Sequence, residues 1–171
     1  MIVNGQYLLD AQPILGMVDH KVLQHGVSYG LGEAGYDIRI KQEVRFGFNE
    51  RSGNRWVQCG DFEKLEYSTG GGRFALASAI EQFQMPTNLT GIVHDKSTWA
   101  RRGLSVFNTV VEPGWHGFLT LELVYHGQDE LIIPAGSGIA QVMFHEVKAP
   151  AAYKGKYQFQ DDRPVEAIKS E

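Results

Sequence analysis

Alternation of apolar and polar residues with a period of two is the feature that most constrains this fold. Between Phe118 and Tyr125 every second residue from Leu119 onward is apolar, and Glu122 lies on the opposite face. The segment from Tyr36 to Phe48 alternates in the same way over one continuous stretch, broken only at Gln42. Side chains of a strand point alternately to the two faces of a sheet, so the pattern predicts β-strands with one buried face.

The glycine content favours the same fold class. The chain has 20 glycines among 171 residues, about 12% where ~7% is usual. Many aromatic and β-branched residues in short segments are typical of strands joined by tight turns, one of them predicted at 70–72. We therefore expect an all-β fold with short helical segments. One covers Gln6–Ala11, and another follows Lys96, where Ser97 could cap a turn that ends at Gly103.

The chain is predicted to form one domain followed by a short arm. A length of 171 residues is that of a single domain with one hydrophobic core. After Pro150 the composition becomes polar and aromatic, and then highly charged. We expect a domain over residues 1–150 and a mobile C-terminal arm over residues 151–171.

Charge and cysteine content exclude several classes of function. The net charge is −4, whereas proteins that bind nucleic acid or acidic membranes by general electrostatics carry a basic surplus, so we expect neither partner. The sequence has a single cysteine, Cys59, which excludes an internal disulfide and zinc sites built on cysteine pairs. With no apolar run of 18 residues and no signal-peptide pattern at the N-terminus, a cytoplasmic location is predicted.

The segment from Lys96 to Arg101 is the first candidate site. It combines two cations, two hydroxyls and a turn of unpaired backbone N–H groups within six residues. The amides and hydroxyls of such a segment donate hydrogen bonds to a di- or triphosphate, and the cations neutralise its charge. The alternative is an ordinary capped turn with solvated charges.

Glu122 is the second candidate, because glutamate is disfavoured in the middle of an apolar strand. A carboxyl group beside apolar side chains has a raised pKa, and it can then both accept and donate a proton near neutrality. A solvent-facing position on an amphipathic strand is the alternative.

Asp37 and Arg39 share a strand face, which indicates a local ion pair or a buried structural pair. Glu112 precedes Pro-Gly and is either an acid at a loop tip or a contact to a sugar hydroxyl.

Five stretches occur in a fixed order: SYGLGEAGYDIRI, KSTWARRGL, NTVVEPGWHGFLTLEL, GIAQVMF and KGKYQFQ. The first resembles one family's Gly-rich entry to a strand that bears Asp-x-Arg, and the second resembles that family's signature of Ser-Thr followed by Ala-Arg. The third resembles its hairpin followed by T-L-E. The fourth and fifth resemble its last core strand and its C-terminal arm. Over residues 28–160 the sequence thereby resembles the dCTP deaminase branch of the dUTPase superfamily.

This resemblance implies a dUTPase-like distorted β-barrel or jelly roll (β-clip) that binds nucleotides and assembles as a homotrimer, with active sites between subunits. The implied activity is zinc-free hydrolytic deamination of dCTP to dUTP and ammonia, with Mg²⁺ bound through the nucleotide triphosphate. Residues 151–171 would be the lid over the active site.

The resemblance also implies roles for individual residues. Glu122 would move protons between the attacking water and the leaving ammonia, and Ser97 and Arg101 would support that water and the pyrimidine end. The implied substrate-binding residues are Lys96, Ser97, Thr98, Arg101, Asn108, Val110, Glu112, Thr120, Gln141, Tyr153, Lys156 and Gln160. Among them Lys96, Ser97 and Thr98 would hold phosphates from the neighbouring subunit, and the arm residues would close over the phosphates. No residue is implied as a metal ligand.

Three functions remain open at this level. The first is dCTP deaminase. The second is a dUTPase, or a bifunctional enzyme that forms dUMP and pyrophosphate, because an Asp in the hairpin orients water at the α-phosphate in that superfamily. The matching position here is Glu112, and glutamate there favours deamination without excluding hydrolysis. The third is a nucleotide-binding regulator without turnover, against which the presence of both Glu122 and Arg101 argues.

Overall fold

Strands dominate the computed structural model, which describes residues 1–61, 65–67 and 73–169. The strands are β1 (Ile2–Val3), β2 (Lys21–Gln24), β3 (Val27–Leu31), β4 (Tyr36–Arg39), β5 (Val44–Phe48), β6 (Arg55–Cys59), β7 (Leu65–Tyr67), β8 (Arg73–Gln84), β9 (Leu89–Asp95), β10 (Leu104–Val106), β11 (Val110–Val111), β12 (His116–Tyr125), β13 (Leu131–Ile133) and β14 (Gly138–Glu146). The helices of this part are α1 (Gly5–Ala11) and α2 (Ser97–Ala100). The all-β prediction with short helical segments is confirmed. The turn predicted at 70–72 lies outside the described residues.

The described strands form three antiparallel sheets. One has seven strands in the order β11-β9-β14-β4-β3-β2, with β1 added beside β14. A three-stranded sheet has the order β10-β12-β8, and a four-stranded sheet has the order β13-β5-β6-β7. All three contribute to one hydrophobic core, to which they supply, for example, Ile38, Leu121 and Phe46.

The segment predicted as one strand from Tyr36 to Phe48 is two strands in different sheets, β4 and β5. Between them the Gln42 side chain donates to Ser78 Oγ at 2.9 Å and accepts from the Ser78 backbone N–H at 2.8 Å. The interruption of the pattern at Gln42 thus marks the point where the chain leaves one sheet and enters another. The prediction of a single strand is wrong because a period-two pattern does not show which sheet a strand joins.

Two glycines show why this chain needs so many. Gly30 has φ +96°, and a Cβ there would lie 2.2 Å from the backbone oxygen of His20. A Cβ at Gly35 would lie 2.2 Å from the backbone oxygen of Val142. Glycine therefore allows close approach of backbones as well as tight turns.

Strand β12 is the element on which the site is built. It pairs with β8 along its length and with β10 at its C-terminal end. From Leu121 onward buried residues alternate with half-buried ones, as the sequence predicts. The register against β8 shifts between Phe118 and Thr120, an irregularity of the kind that redirects side chains near functional sites.

The C-terminal arm packs against the domain instead of extending freely from it. The Tyr153 N–H donates to the Pro113 carbonyl at 2.8 Å, the Phe159 N–H to the His116 carbonyl at 2.8 Å, and the Phe118 N–H to the Gln160 carbonyl at 3.1 Å. Farther along, Lys41 pairs with Asp162 at 2.5 Å. The arm that the sequence predicts to be mobile is docked in this structure.

Candidate active site

A cleft of about 360 Å³ lies between the β8–β12 pair, the β11 segment and the arm. Its wall is largely apolar and includes Leu76, Val111 and Trp115. The size falls in the range of small-molecule binding sites. Six predicted site residues line this cleft together: Val110, Glu112, Thr120, Glu122, Tyr153 and Gln160.

Glu122 is held against apolar neighbours by β12. Leu76 of β8 lies directly opposite it in the ladder, and the flanking Leu121 and Leu123 are buried. The Glu122 side chain is half-buried, and burial raises the pKa of its carboxyl above the ordinary glutamate value. The predicted partial burial and raised pKa are confirmed, and the carboxyl can exchange protons closer to neutrality than an exposed one.

The irregular part of β12 shapes the wall next to Glu122. Because the register shifts before Thr120, the consecutive residues Leu119 and Thr120 both line the cleft. The Thr120 hydroxyl accepts a hydrogen bond from the Val165 N–H at 3.0 Å. Glu112 lies exposed at the rim, directly after β11. The cleft thus holds two carboxyl groups with different degrees of burial.

The arm reaches the cleft through a tightly bonded turn. The Trp115 indole N–H donates to the Tyr157 carbonyl at 2.6 Å. The Gln158 side chain accepts from the His116 N–H and donates to the Gly114 carbonyl, each at 2.8 Å. These bonds fix the part of the arm that carries Tyr153 and Gln160. Lys156 of the same arm is exposed and donates to the Ile168 carbonyl outside the cleft.

The signature segment Lys96–Arg101 is not part of the cleft wall that this single chain forms. Its turn, α2, begins at Ser97 after Lys96 at the N-cap position, and no side chain in the described part of the chain caps it; the prediction that Ser97 is the cap is wrong. The turn is anchored instead by Trp99, whose indole N–H donates to the Gly138 carbonyl at 2.7 Å. Ser97, Thr98 and Arg101 are exposed.

Asp37 and Arg39 do not pair with each other. Asp37 is buried and forms an ion pair with Lys96, and Arg39 pairs with Glu81 at 2.8 Å. The predicted pair between them is therefore wrong, and each residue forms a structural pair with a partner from a distant part of the chain. Lys96, predicted to hold phosphate, is thus engaged by a buried carboxylate.

Glu81 is a buried acid that the sequence analysis did not single out. It accepts hydrogen bonds from the backbone N–H and the Nε–H of Arg39, both at 2.8 Å, and burial raises the pKa of its carboxyl against the opposing effect of Arg39. The signal was present, since Glu81 interrupts an apolar strand as Glu122 does. What separates the two acids is Arg39, because the structure shows no such cation for Glu122 within the described ranges.

Two further predicted residues lie away from the cleft. Asn108 is exposed in the connection between β10 and β11, next to the lining residue Thr109. Gln141 is half-buried on β14, opposite Asp37 on one side and His94 on the other. A single chain therefore brings together part of the predicted set and leaves Lys96, Ser97, Thr98, Arg101, Asn108, Gln141 and Lys156 outside.

Two negative findings apply to the described part of the chain. It contains no group of three or more His, Cys, Asp or Glu side chains that could hold a metal ion. Neither of its helices is long and apolar enough to cross a membrane.

The arrangement of the sheets is that of the dUTPase-like fold. The D95N mutant of the dUTPase of the Staphylococcus aureus phage phi11 matches 80% of this chain and 89% of its own with a TM-score of 0.50 at 13% identity. A 2′-deoxycytidine 5′-triphosphate deaminase from Agrobacterium tumefaciens matches 84% of this chain with a TM-score of 0.54 at 15% identity. This chain spans 47% of the length of that deaminase.

Sequence comparison narrows the fold class to one family. The profile of a family described as dCTP deaminase-like matches residues 8–147, and the chain belongs to this family. A dCTP deaminase of Campylobacter jejuni is 40% identical over 145 residues, which are 78% of either chain. A dCTP deaminase of Acidobacterium capsulatum is 32% identical over 177 residues, covering 94% of this chain and 96% of that protein.

Proposed function

We propose that this protein deaminates dCTP to dUTP and ammonia by hydrolysis, in the cleft that contains Glu122. One observation carries the proposal: a half-buried carboxyl group with a raised pKa in an apolar cleft of about 360 Å³. Family membership and relatives named dCTP deaminase at 32–40% identity support it. The predicted substrate is therefore a pyrimidine deoxynucleoside triphosphate.

The reaction needs a group that both takes and gives a proton. The oxygen of a water molecule forms a bond to C4 of the cytosine ring, while the Glu122 carboxylate takes a proton from that water. The bond between C4 and the exocyclic nitrogen then breaks, and Glu122 returns a proton to the leaving nitrogen. Of the two water protons, one ends on ammonia and the other on ring N3, and C4 becomes a carbonyl. A carboxyl whose pKa is raised toward the working pH suits both steps.

The proposed site is made by two copies of the chain. Ser97 and Arg101 would support the water and the pyrimidine end, and Thr98 would contact phosphate. All three are exposed outside the cleft of their own chain, so they would complete the cleft of a neighbouring subunit. This division supports a homotrimer with active sites between subunits, since closed cyclic assemblies bring two different surfaces of one chain together at each interface.

The other proposed contacts follow the cleft from the base to the phosphates. Val110 and Asn108 would lie at the base edge, and Glu112 at the sugar. Thr120 would contact the substrate beside Glu122, and Gln141 would lie near the nucleotide. Residues 151–171 would serve as a lid, from which Tyr153, Lys156 and Gln160 reach the phosphates, excluding water from the reaction.

Mg²⁺ is proposed to enter with the substrate. The described residues offer no cluster of acidic ligands, and Mg²⁺ carried by a triphosphate needs none, because it takes phosphate oxygens and retains several waters. When bound it would neutralise phosphate charge, and no step of the deamination needs it or zinc. A cytoplasmic location, without nucleic-acid or membrane partners, remains the prediction from the sequence.

A second activity is favoured by one observation. Glu112 lines the same cleft as Glu122, so its carboxyl is available to orient water as the aspartate of a dUTPase does, although glutamate at this position favours deamination. A bifunctional enzyme would then convert the dUTP formed in the cleft to dUMP and pyrophosphate.

A single assay separates these functions. The protein is incubated with dCTP and Mg²⁺, and the nucleotides and ammonia are resolved over time. Equal amounts of dUTP and ammonia are expected. Accumulation of dUMP with pyrophosphate would instead support the bifunctional enzyme, and unchanged dCTP would support a regulator that binds without turnover and would refute the proposal.

A further inference from the structure

The side chains of the signature segment divide into two groups. Lys96 and Trp99 point into the body of the chain, where Trp99 is 3% exposed and the Lys96 side chain is 12% exposed. Ser97, Thr98 and Arg101 are exposed. The segment therefore has an anchoring half and a half that it presents to solvent or to a partner.

The anchoring half is a closed network around Lys96. Its ammonium group forms an ion pair with Asp37 Oδ2 and donates to Ser28 Oγ at 3.1 Å. The Ser28 hydroxyl in turn donates to Asp37 Oδ2 at 3.2 Å. The Asp37 side chain is only 4% exposed. Three elements are tied together here: β3 through Ser28, β4 through Asp37 and the start of α2 through Lys96.

Lys96 cannot leave this network without a large penalty. A phosphate contact would require its ammonium to move away from Asp37, and a carboxylate that is almost fully buried would lose the cation that compensates it. Removing one partner of a buried ion pair is strongly unfavourable, because the remaining charge has neither water nor a counter-charge. The Asp37 Oδ1 atom has no hydrogen-bond partner among the described residues, so the carboxylate depends on the contacts that Oδ2 makes, above all the ion pair with Lys96.

We propose that Lys96 is a positioning residue with Asp37 as its counter-charge, and that it is not a phosphate ligand. The inference rests on the proposed function, in which the exposed Ser97, Thr98 and Arg101 make the contacts to water, pyrimidine and phosphate. Lys96 and Asp37 set the orientation of the turn that carries those side chains. The same network explains why the side chain of Lys96 is only 12% exposed; Arg101, which lies outside the network, is exposed.

A double-mutant cycle tests this assignment. The variants are Lys96→Met, Asp37→Asn and the combination of both, each assayed for kcat and KM with dCTP and titrated with dUTP by calorimetry. Each single variant is expected to lower kcat about 10- to 100-fold, because displacing Ser97 and Arg101 from the reacting atoms is costly. The kcat of the combined variant is expected to be no lower than that of the more impaired single variant, because both changes disrupt the same unit. Lys148→Met is the matched control: Lys148 is exposed beyond the end of β14, and the kcat of this variant should be unchanged.

A phosphate ligand would give a different pattern. Asp37→Asn would then free the ammonium and leave KM unchanged or lower. Lys96→Met would raise KM at constant kcat, equally in the wild type and in the Asp37→Asn background, and this result would overturn the proposal. Urea unfolding curves identify any variant that does not fold. If Lys96→Met does not fold, Asp37→Asn alone still separates the two assignments: a lower kcat supports the positioning role, and an unchanged enzyme contradicts it. If the wild type releases no ammonia, the proposed function fails, while the dUTP titrations still report whether the two positions act as a unit.

Discussion

The carboxyl of Glu122 is the group on which the proposed chemistry depends at the scale of single residues. Glu122→Gln keeps the size and the hydrogen-bonding capacity of the side chain but cannot take a proton from water. We expect dCTP deamination to fall by about 10²- to 10⁴-fold, the usual contribution of a general acid–base, while dCTP binding measured by calorimetry stays within a few-fold. Glu146→Gln, at an exposed strand end, is the control and should keep the wild-type rate. Undiminished deamination by Glu122→Gln would refute the mechanism.

The raised pKa of Glu122 gives the reaction a definite pH dependence. The ionised form must accept the first proton, so kcat/KM should fall as the pH drops through the pKa of this carboxyl. Because burial raises that pKa, the acid limb should lie above the ordinary glutamate value of about 4.3. A pH–rate profile measures it, and a limb at the ordinary value would contradict the role assigned to burial.

The same pKa shift fixes the sign of a stability effect. A carboxyl with a higher pKa in the folded than in the unfolded state binds its proton more tightly when folded, so its contribution to stability is lost as the pH rises through the folded pKa. At pH values above that point Glu122→Gln should unfold at a higher urea concentration than the wild type. Below it the two midpoints should converge.

Sequence patterns find acids in apolar strands but do not distinguish their roles. Glu122 and Glu81 both interrupt apolar strands, and only Glu122 was identified. The pairing of Glu81 with Arg39, like that of Asp37 with Lys96, joins residues 42 and 59 positions apart. Such pairings depend on which strands become neighbours, and local periodicity contains no such information. Six of the predicted site residues thus line one cleft, whereas the partners of the charged groups were not predictable from the sequence.

Among the elements, the C-terminal arm is bonded to the domain through the side chain of Gln158, and the loss of these hydrogen bonds should change both stability and substrate binding. Gln158 bonds to His116, Gly114 and, at 3.3 Å, to the Tyr153 carbonyl. Gln158→Ala leaves those backbone groups without their partner, which typically costs about 1–3 kcal/mol. We expect a lower free energy of unfolding or of arm docking, a several-fold rise in KM for dCTP and faster proteolysis after residue 150. Gln82→Ala, at an exposed position of β8, should change none of these.

The elements also show where alternation stops being informative. Strand β12 was predicted almost to its ends, because its alternation is regular and one face is buried. The stretch from Tyr36 to Phe48 was mistaken for one strand, although Gln42 marked the break, because the exchange of sheets there depends on Ser78. Docking of the arm was not predictable, since each of its described hydrogen bonds to the domain has a backbone group on at least one side, and every sequence possesses such groups.

At the scale of the whole molecule, the single chain carries two incomplete halves of the proposed site. Glu122, Glu112 and the arm surround the cleft, whereas Ser97, Thr98 and Arg101 are presented elsewhere on the surface. If the two surfaces meet for activity, as proposed, they do so at a contact between copies, and three head-to-tail contacts of this kind would close a cyclic trimer. Catalysis would then depend on assembly.

Mixing two inactive variants tests this dependence directly. Glu122→Gln and Arg101→Ala chains are each expected to lack activity, and equal amounts are unfolded together and refolded. In a randomly mixed trimer, about a quarter of the sites combine an intact Glu122 from one chain with an intact Arg101 from its neighbour, so about a quarter of the wild-type rate should return. Mixing Ser97→Ala with Arg101→Ala is the control and should restore nothing, because both changes lie on the same half. If each chain held a complete site of its own, the first mixture would also remain inactive, and the two halves would have to meet within one subunit.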